Sequence, residues 1–247
     1  MRKITVSLSK GGVGKTTSAV NLAAGLARSG AKVLLIDADA QGQASRSLGL
    51  QPPSGLAQLL SGAKPEEATV QAREGLWLMA GGRDLTGAKR EIDRRSFGAE
   101  RVLSEALEPL DGQYDYLILD TAPGLDTLAI NVLFYAEEIL SPVSMEVLTL
   151  QGLADFQHTI SGVQKYHADV KLRYVLPTFL DGRVRKSQEI LEQLQRHYSQ
   201  QLCQPIRYSV RLSEAPGFGQ TIFEYAPSSS GAEDYQALTE RILQDGR

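Results

Sequence analysis

Lys10-Gly11-Gly12-Val13-Gly14-Lys15-Thr16-Thr17 follows the apolar run Ile4-Thr5-Val6-Ser7-Leu8 and opens a stretch rich in Ala and Leu. Strand, glycine-rich turn and helix, in that order, are what a phosphate-binding loop requires. Gly11, Gly12 and Gly14 let the backbone curl until its N–H groups converge on an anion. The helix that begins near Thr16 points the positive end of its dipole at the same place. Lys15 is placed to reach the β- and γ-phosphates of a nucleotide, and the Thr16 hydroxyl to meet a magnesium ion. A glycine turn that merely precedes a helix would not need this lysine and threonine together.

Outward from the loop, apolar strand-like runs alternate with helical patterns, which predicts a mainly parallel sheet covered by helices. Val33–Ile36 and Tyr116–Leu119 are continuous apolar runs, as expected of strands buried on both faces. Leu76–Met79, Ile139–Pro142 and Arg173–Leu176 read as further strands, with another short one at Pro205–Tyr208. Gly30 suits the left-handed end of the first helix. Residues 151–166 and 186–198 read as long helices. The last helix, 232–243, sets Tyr235, Leu238, Ile242 and Leu243 on one side. Its charges are mixed, whereas a membrane-surface helix carries a basic polar face, so it is expected to pack on the domain.

The 247 residues, 42% of them hydrophobic, suffice for one large domain spanning 1–247. A net charge of −3 excludes a globally basic nucleic-acid binder but not a local basic face. The single cysteine, Cys203, allows neither an internal disulfide nor a multi-cysteine metal site, and fits a reducing cytoplasm. The first strand begins at once, leaving no room for a signal peptide, and no apolar run approaches the length of a membrane span.

Phosphoryl transfer needs a metal, a positioned water and a segment that senses the γ-phosphate. Tyr116–Leu119 ends in Asp120, followed by Thr121-Ala122-Pro123-Gly124. A carboxylate at a buried strand end beside a phosphate loop can hold magnesium through water, and Gly124 frees the next loop to approach the γ-phosphate. Val33–Ile36 leads into Asp37-Ala38-Asp39-Ala40-Gln41-Gly42. Two strand-end aspartates either cap the next turn or take part in the chemistry.

The whole octet, with its early Lys10, resembles the deviant Walker A box of the ParA/MinD family of P-loop ATPases. The D-x-D-x-Q after the second strand is similar to that family's. So are Leu128-Ala-Ile-Asn131, Pro142-Val-Ser-Met-Glu146, Leu150-Gln-Gly-Leu153, Thr178-Phe-Leu-Asp-Gly-Arg183, Val210-Arg-Leu-Ser-Glu-Ala-Pro216 and Ser230-Gly-Ala-Glu-Asp-Tyr235. The likeness covers nearly the whole chain and is greatest to the short Soj-like branch. It implies an α/β fold, a mostly parallel twisted sheet flanked by helices, and ATP with Mg2+ as ligands. It implies that Lys10 crosses a dimer interface to the partner's nucleotide, that Asp39 orients the attacking water near the metal, and that Asp37 supports the metal and switch region. Thr16, Asp39 and Asp120 form the expected metal side. Ser7-Leu8-Ser9, Ala40, Ala122 and Ile206-Arg-Tyr-Ser209 depart from the family pattern; the last segment lies near the nucleotide base in relatives, which leaves the adenine contacts unassigned.

Soj-like relatives bind DNA without sequence preference as ATP-bound dimers, which requires a basic patch on phosphates rather than base readout. Arg183, Arg185, Lys186, Arg207 and Arg211 are the candidates here. Lys89–Arg95, with its interleaved acids, reads as a helix surface. The resemblance thus implies a cytoplasmic, nucleoid-associated partition ATPase whose slow hydrolysis is stimulated by a ParB-like centromere-binding protein, with no membrane partner. A MinD-like membrane-surface ATPase would share the nucleotide site, and a metabolic ATP-dependent ligase would share the fold. An iron–sulfur ATPase would need two cysteines per subunit for its bridging cluster.

Overall fold

In a computed structural model that describes residues 1–246, the chain builds one seven-stranded sheet. Its strands are β1 (Arg2–Val6), β2 (Val33–Ala38), β3 (Val70–Arg73), β4 (Leu76–Met79), β5 (Tyr116–Thr121), β6 (Glu138–Ser144) and β7 (Lys171–Thr178), in the order β3-β4-β2-β5-β1-β6-β7. Only β3 runs antiparallel, to β4; the other pairings are parallel. The helices are α1 (Lys15–Arg28), α2 (Gln43–Ser47), α3 (Leu56–Leu60), α4 (Leu85–Asp93), α5 (Val102–Leu107), α6 (Thr127–Tyr135), α7 (Val147–Val163), α8 (Arg185–Tyr198), α9 (Val210–Glu214), α10 (Ile222–Tyr225) and α11 (Ser230–Gln244).

Side-chain alternation along the strands splits the core into two faces. Ile4, Val6, Val33, Leu35, Ile118 and Leu140 pack with residues of α1, α10 and α11. Leu34, Ile36, Leu117 and Leu119 point the other way, into a core with residues of α3 to α6. Beyond β1 that second face continues as a third cluster, in which Ile139, Val143 and Val175 meet Phe156 of α7 and Ile190 of α8. Every residue of β2 and β5 is buried, as continuous apolar runs require in a sheet covered on both sides. The connection after β1 runs to β2 on one side and the connection after β5 crosses to β6 on the other, so the crevice at the C-terminal ends of β1 and β5 is the place where such sheets bind ligands.

The expected strands at 33–36, 76–79, 116–119, 139–142 and 173–176 all fall within observed ones. Pro205–Tyr208 does not form a strand. Leu180 N donates to Ile206 O at 3.1 Å and Tyr208 N to Leu180 O at 2.9 Å, giving a single isolated bridge between Leu180 and Arg207. Pro205 has no N–H with which to extend the ladder. Gly30 takes φ 91° just past α1, as its position predicts. The last helix packs on the domain: Tyr235, Leu238 and Ile242 are buried against the α1 side of the sheet. Among the described residues no helix is long and apolar enough to cross a membrane.

Candidate active site

The loop between β1 and α1 ends in Gly14, which caps the helix in the left-handed region at φ 86°; Gly12 is there too, at φ 72°. These two glycines supply the curl. Gly11 does not use a positive φ; a Cβ on it would lie 3.6 Å from Pro123, in the loop that follows Asp120. Val13 anchors the loop from below: its side chain is buried in the β6–β7 core, and its carbonyl accepts from Thr178 Oγ1 at 3.0 Å. Thr17 faces the crevice one residue into the first turn after Thr16.

Lys15 is buried, and its Nζ donates to the Lys10 carbonyl at 2.8 Å. Burial pushes its pKa down, against the opposing charges of Asp120 and Asp39. Those two carboxylates are therefore close enough to act on the loop lysine, although they lie far apart in sequence.

Parallel register makes this meeting unavoidable. Asp37 and Asp120 are direct partners across β2 and β5, and Val6 is partnered with Asp120 across β1 and β5. Asp37 is fully buried; Oδ1 accepts Asp39 N at 2.9 Å and Oδ2 accepts Ala44 N at 3.0 Å. Desolvation nevertheless pushes its carboxyl up to about 6. Asp39 is also buried, and Gln41 N donates to its Oδ1 at 2.9 Å. Asp37 thus braces the turn that aims Asp39.

Asp120 is fully buried, and neither carboxylate oxygen has a hydrogen-bond partner among the described residues. Burial and the Asp37 charge raise its pKa well above the usual carboxylate range, while neighbouring Thr16 and Lys15 oppose that rise. A buried carboxylate with two unsatisfied oxygens is costly alone. Beside the Thr16 hydroxyl it has the donor chemistry that a hydrated magnesium ion needs.

Lys10 sits at the rim. Its Nζ donates to Glu146 Oε2 at 2.8 Å and to Thr149 Oγ1 at 3.0 Å, both in its own subunit. On the other side of the loop lies a cavity of about 100 Å3 lined by Gly14, Thr17, Thr178, Phe179, Tyr208 and Leu212. Phe179 is the one non-glycine residue with positive φ among those described, at 56°. Its ring covers Gly14, 3.7 Å from where a Cβ would stand. Such a conformation is held only by surrounding structure. Motif reading singled out neither Phe179 nor the cavity; the sole hint was its place next to Thr178 in a family-like segment.

The five cations expected to contact DNA come from two stretches that the Leu180–Arg207 bridge sets side by side. Arg183 pairs with Asp181 at 2.8 Å, Arg185 with Glu189 at 3.0 Å and Arg211 with Glu214 at 3.0 Å. Arg207 turns towards α11, where it meets Asp234 at 2.7 Å and Glu233 at 2.9 Å. Lys186 occupies the first turn of α8. Exposed pairs of this kind are weak, so phosphates can compete for Arg183, Arg185 and Arg211. Arg207 also ties its segment to α11, since its backbone N donates to Asp234 Oδ2 at 2.8 Å.

A family model described as an AAA domain matches residues 1–173. The chain is 40% identical to the chromosome-partitioning ATPase Soj of Thermus thermophilus over 98% of this chain and 96% of that one. It is 35% identical to the sporulation initiation inhibitor protein Soj of Bacillus subtilis over 98% of each. Among solved structures, a Mycobacterium smegmatis protein described as cobyrinic acid a,c-diamide synthase, with bound ATP analogue and magnesium, superposes with a TM-score of 0.86 at 33% identity, covering 100% of this chain and 97% of that one. A Cyanothece McdA variant in complex with ATP shares the fold, with a TM-score of 0.87 at 24% identity over 99% and 96% of the two chains. The chain belongs to the ParA/Soj family of chromosome-partitioning ATPases.

Proposed function

We propose that this protein is an ATP-switched partition ATPase that pairs on binding ATP, holds DNA non-specifically in that state and lets go after hydrolysis. The observation that carries the reading is the convergence of Lys15, Asp39 and Asp120 around one loop at the C-terminal edge of the sheet.

In this reading the loop amides from Gly11 to Thr17 and the Lys15 ammonium bind the phosphates. Thr16 and the orphaned Asp120 would hold Mg2+, with Asp39 beside them. The metal, when bound, neutralises charge on the β- and γ-phosphate oxygens. Asp39, oriented by Gln41 N, aims a water at the γ-phosphorus and accepts its proton as the new P–O bond forms. The bond from γ-phosphorus to the β–γ bridging oxygen breaks, and ADP and phosphate result. Phe179 and Tyr208 enclose the base in the cavity beside Gly14.

Lys10 crosses to the nucleotide of a second copy and makes the pair depend on ATP. Arg183, Arg185, Lys186 and Arg211, with Arg207 behind them, meet DNA phosphates. A ParB-like partner stimulates hydrolysis, and the protein works in the cytoplasm on the nucleoid. An amide-forming synthase would share the nucleotide site and would also need room for an acceptor beside the γ-phosphate.

Lys10→Ala tests the pairing. Nucleotide should still bind, while ATP-dependent dimers disappear in sedimentation velocity; dimers that persist in the variant would remove the crossing lysine from the mechanism.

A further inference from the structure

Helix α4 joins the turn that carries Asp39 to the loop that follows Asp120. Before α4 the chain leaves β4 through Ala80-Gly81-Gly82. Gly82 N donates to Asp39 O at 3.0 Å, and Leu85 N donates to Gly82 O at 3.0 Å. Gly81 lies so close to the same turn that a Cβ on it would stand 2.5 Å from Asp39 O and 2.7 Å from Asp37 Oδ1. Towards the other end of α4, Lys89 Nζ donates to Asp126 Oδ2, and Asp93 Oδ1 accepts the Thr127 hydroxyl. Asp126 closes the loop after Asp120 and caps α6, its Oδ1 accepting Ala129 N at 2.9 Å. That loop rests on the phosphate loop: Gly124 N donates to Ser9 O at 2.9 Å, and Pro123 stands beside Gly11.

Between these contacts α4 is held on its apolar side. Leu85, Ala88 and Ile92 are buried against the core that contains Leu128 and Val132 of α6. Arg90, Glu91, Arg94 and Arg95 are exposed, as the interleaved charges of 89–95 predict. Lys89 departs from them: its side chain is only 17% exposed, and Asp126 is its one carboxylate partner among the described residues.

We propose that Lys89, acting through Asp126, is a positioning residue for ATP hydrolysis, and that α4 is the strut that makes the Asp39 turn and the loop after Asp120 move as one unit. The inference rests on the assignment of Asp39 to the attacking water. It goes further by giving Lys89 and Asp126 a part in the rate rather than in nucleotide binding.

Neither residue belongs to the phosphate loop, so losing their pair leaves the phosphate donors in place. Attack on the γ-phosphorus is more demanding than binding, since a misplacement of about 1 Å can cost on the order of 100-fold in rate. A fully exposed ion pair would be too weak to set such a position. Here the lysine is mostly covered, and its acceptor already caps a helix, so the charge-assisted bond has a fixed geometry.

The test uses the full chain with Lys89→Met, Asp126→Asn, both together, and Lys89→Arg. Asparagine keeps the cap on α6 and loses the charge. In steady-state hydrolysis of Mg-ATP at a fixed protein concentration, either single variant should lower kcat by about five- to tenfold and leave KM within about twofold. The double variant should be no slower than the singles, and Lys89→Arg should recover most of the rate. Without nucleotide, amide hydrogen exchange read peptide by peptide should quicken in Lys89→Met at both 121–127 and 38–44, with 138–144 unchanged. Unchanged kcat, or a rise in KM that accounts for the loss, would overturn the positioning role. Additive losses in the double variant would overturn the pair. Faster exchange at 121–127 alone would overturn the strut. Full hydrolysis by Asp39→Ala would instead overturn the assignment of the water, and the strut with it; an inactive Asp39→Ala chain beside a fully active Lys89→Met chain would remove the strut alone. Asp126→Asn, with its cap intact, keeps the test decisive if Lys89→Met fails to fold.

Discussion

Lys15 and the aspartates around it are interdependent. Its ammonium is bonded to a carbonyl of its own loop and is the cation nearest two buried carboxylates. Lys15→Gln keeps the length and a donor but removes the charge, so nucleotide affinity should fall by about 100-fold or more. Isothermal titration reads this directly; full affinity in the variant would sever the loop from the site. Asp37 has a separate signature. Its carboxyl sits at about 6 instead of 3.8 because it is buried, despite two backbone donors. An acid raised in the folded state costs nothing below its unfolded value and its full penalty above its folded one. The stability of the natural chain, relative to Asp37→Asn, should therefore fall as pH rises from 4 to 6, by a few kcal/mol, in nucleotide-free urea unfolding. A difference that stays flat across that window would contradict the assignment. Lys15 and Asp120 were singled out by glycine spacing and a strand end, whereas Lys10 and Asp39 were singled out only by the resemblance of their segments to a family. Phe179 was not, because a left-handed aromatic residue leaves no compositional trace. The carboxylate partners of Arg207 were hidden for a different reason: Arg207 and Asp234 meet only through the fold.

Among the elements, α1 carries the loop, so its seat on the sheet sets where the loop points. That seat depends on Gly25, where any Cβ would collide with Thr239 Oγ1 of α11. Gly25→Ala should destabilise the chain by about 1–3 kcal/mol, and Thr239→Ala should recover part of the loss. Urea unfolding of both single variants and the double checks this; strictly additive effects would show that the two helices do not meet there. The apolar strands of the sheet centre were readable because they are buried on both faces. Edge strand β3 escaped notice: Val70-Gln71-Ala72-Arg73 has no apolar run, and pairing with β4 alone makes it a strand. The converse held at Pro205–Tyr208, where apolar and aromatic residues suggested a strand but the ladder stops after one bridge. The start of α7 lies at Val147, four residues ahead of the expected Gln151, because the corner at Glu146 rather than a side-chain cap begins it.

Across the whole molecule, sheet order gathers the ends of β1, β2, β5 and β7 on one edge. The phosphate loop, Asp39 and Phe179 follow β1, β2 and β7, and Asp120 stands near the end of β5. The same edge carries the stitched segments with Arg183 and Arg207, so the phosphate loop and the cations proposed to meet DNA lie on one side of the molecule. With an overall charge of −3, the DNA affinity proposed above would have to come from those local cations and would weaken steeply with salt. Sequence patterning disclosed the layers and the residues expected at that edge, while the closeness of the two segments bearing the candidate cations became known only from the Leu180–Arg207 bridge. The most direct test of the central claim is binding of the Asp39→Ala chain to random-sequence duplex DNA with ATP, with ADP and without nucleotide. The account predicts tight, salt-sensitive binding with ATP alone. Equal binding in all three states, or none with ATP although pairs form, would contradict it.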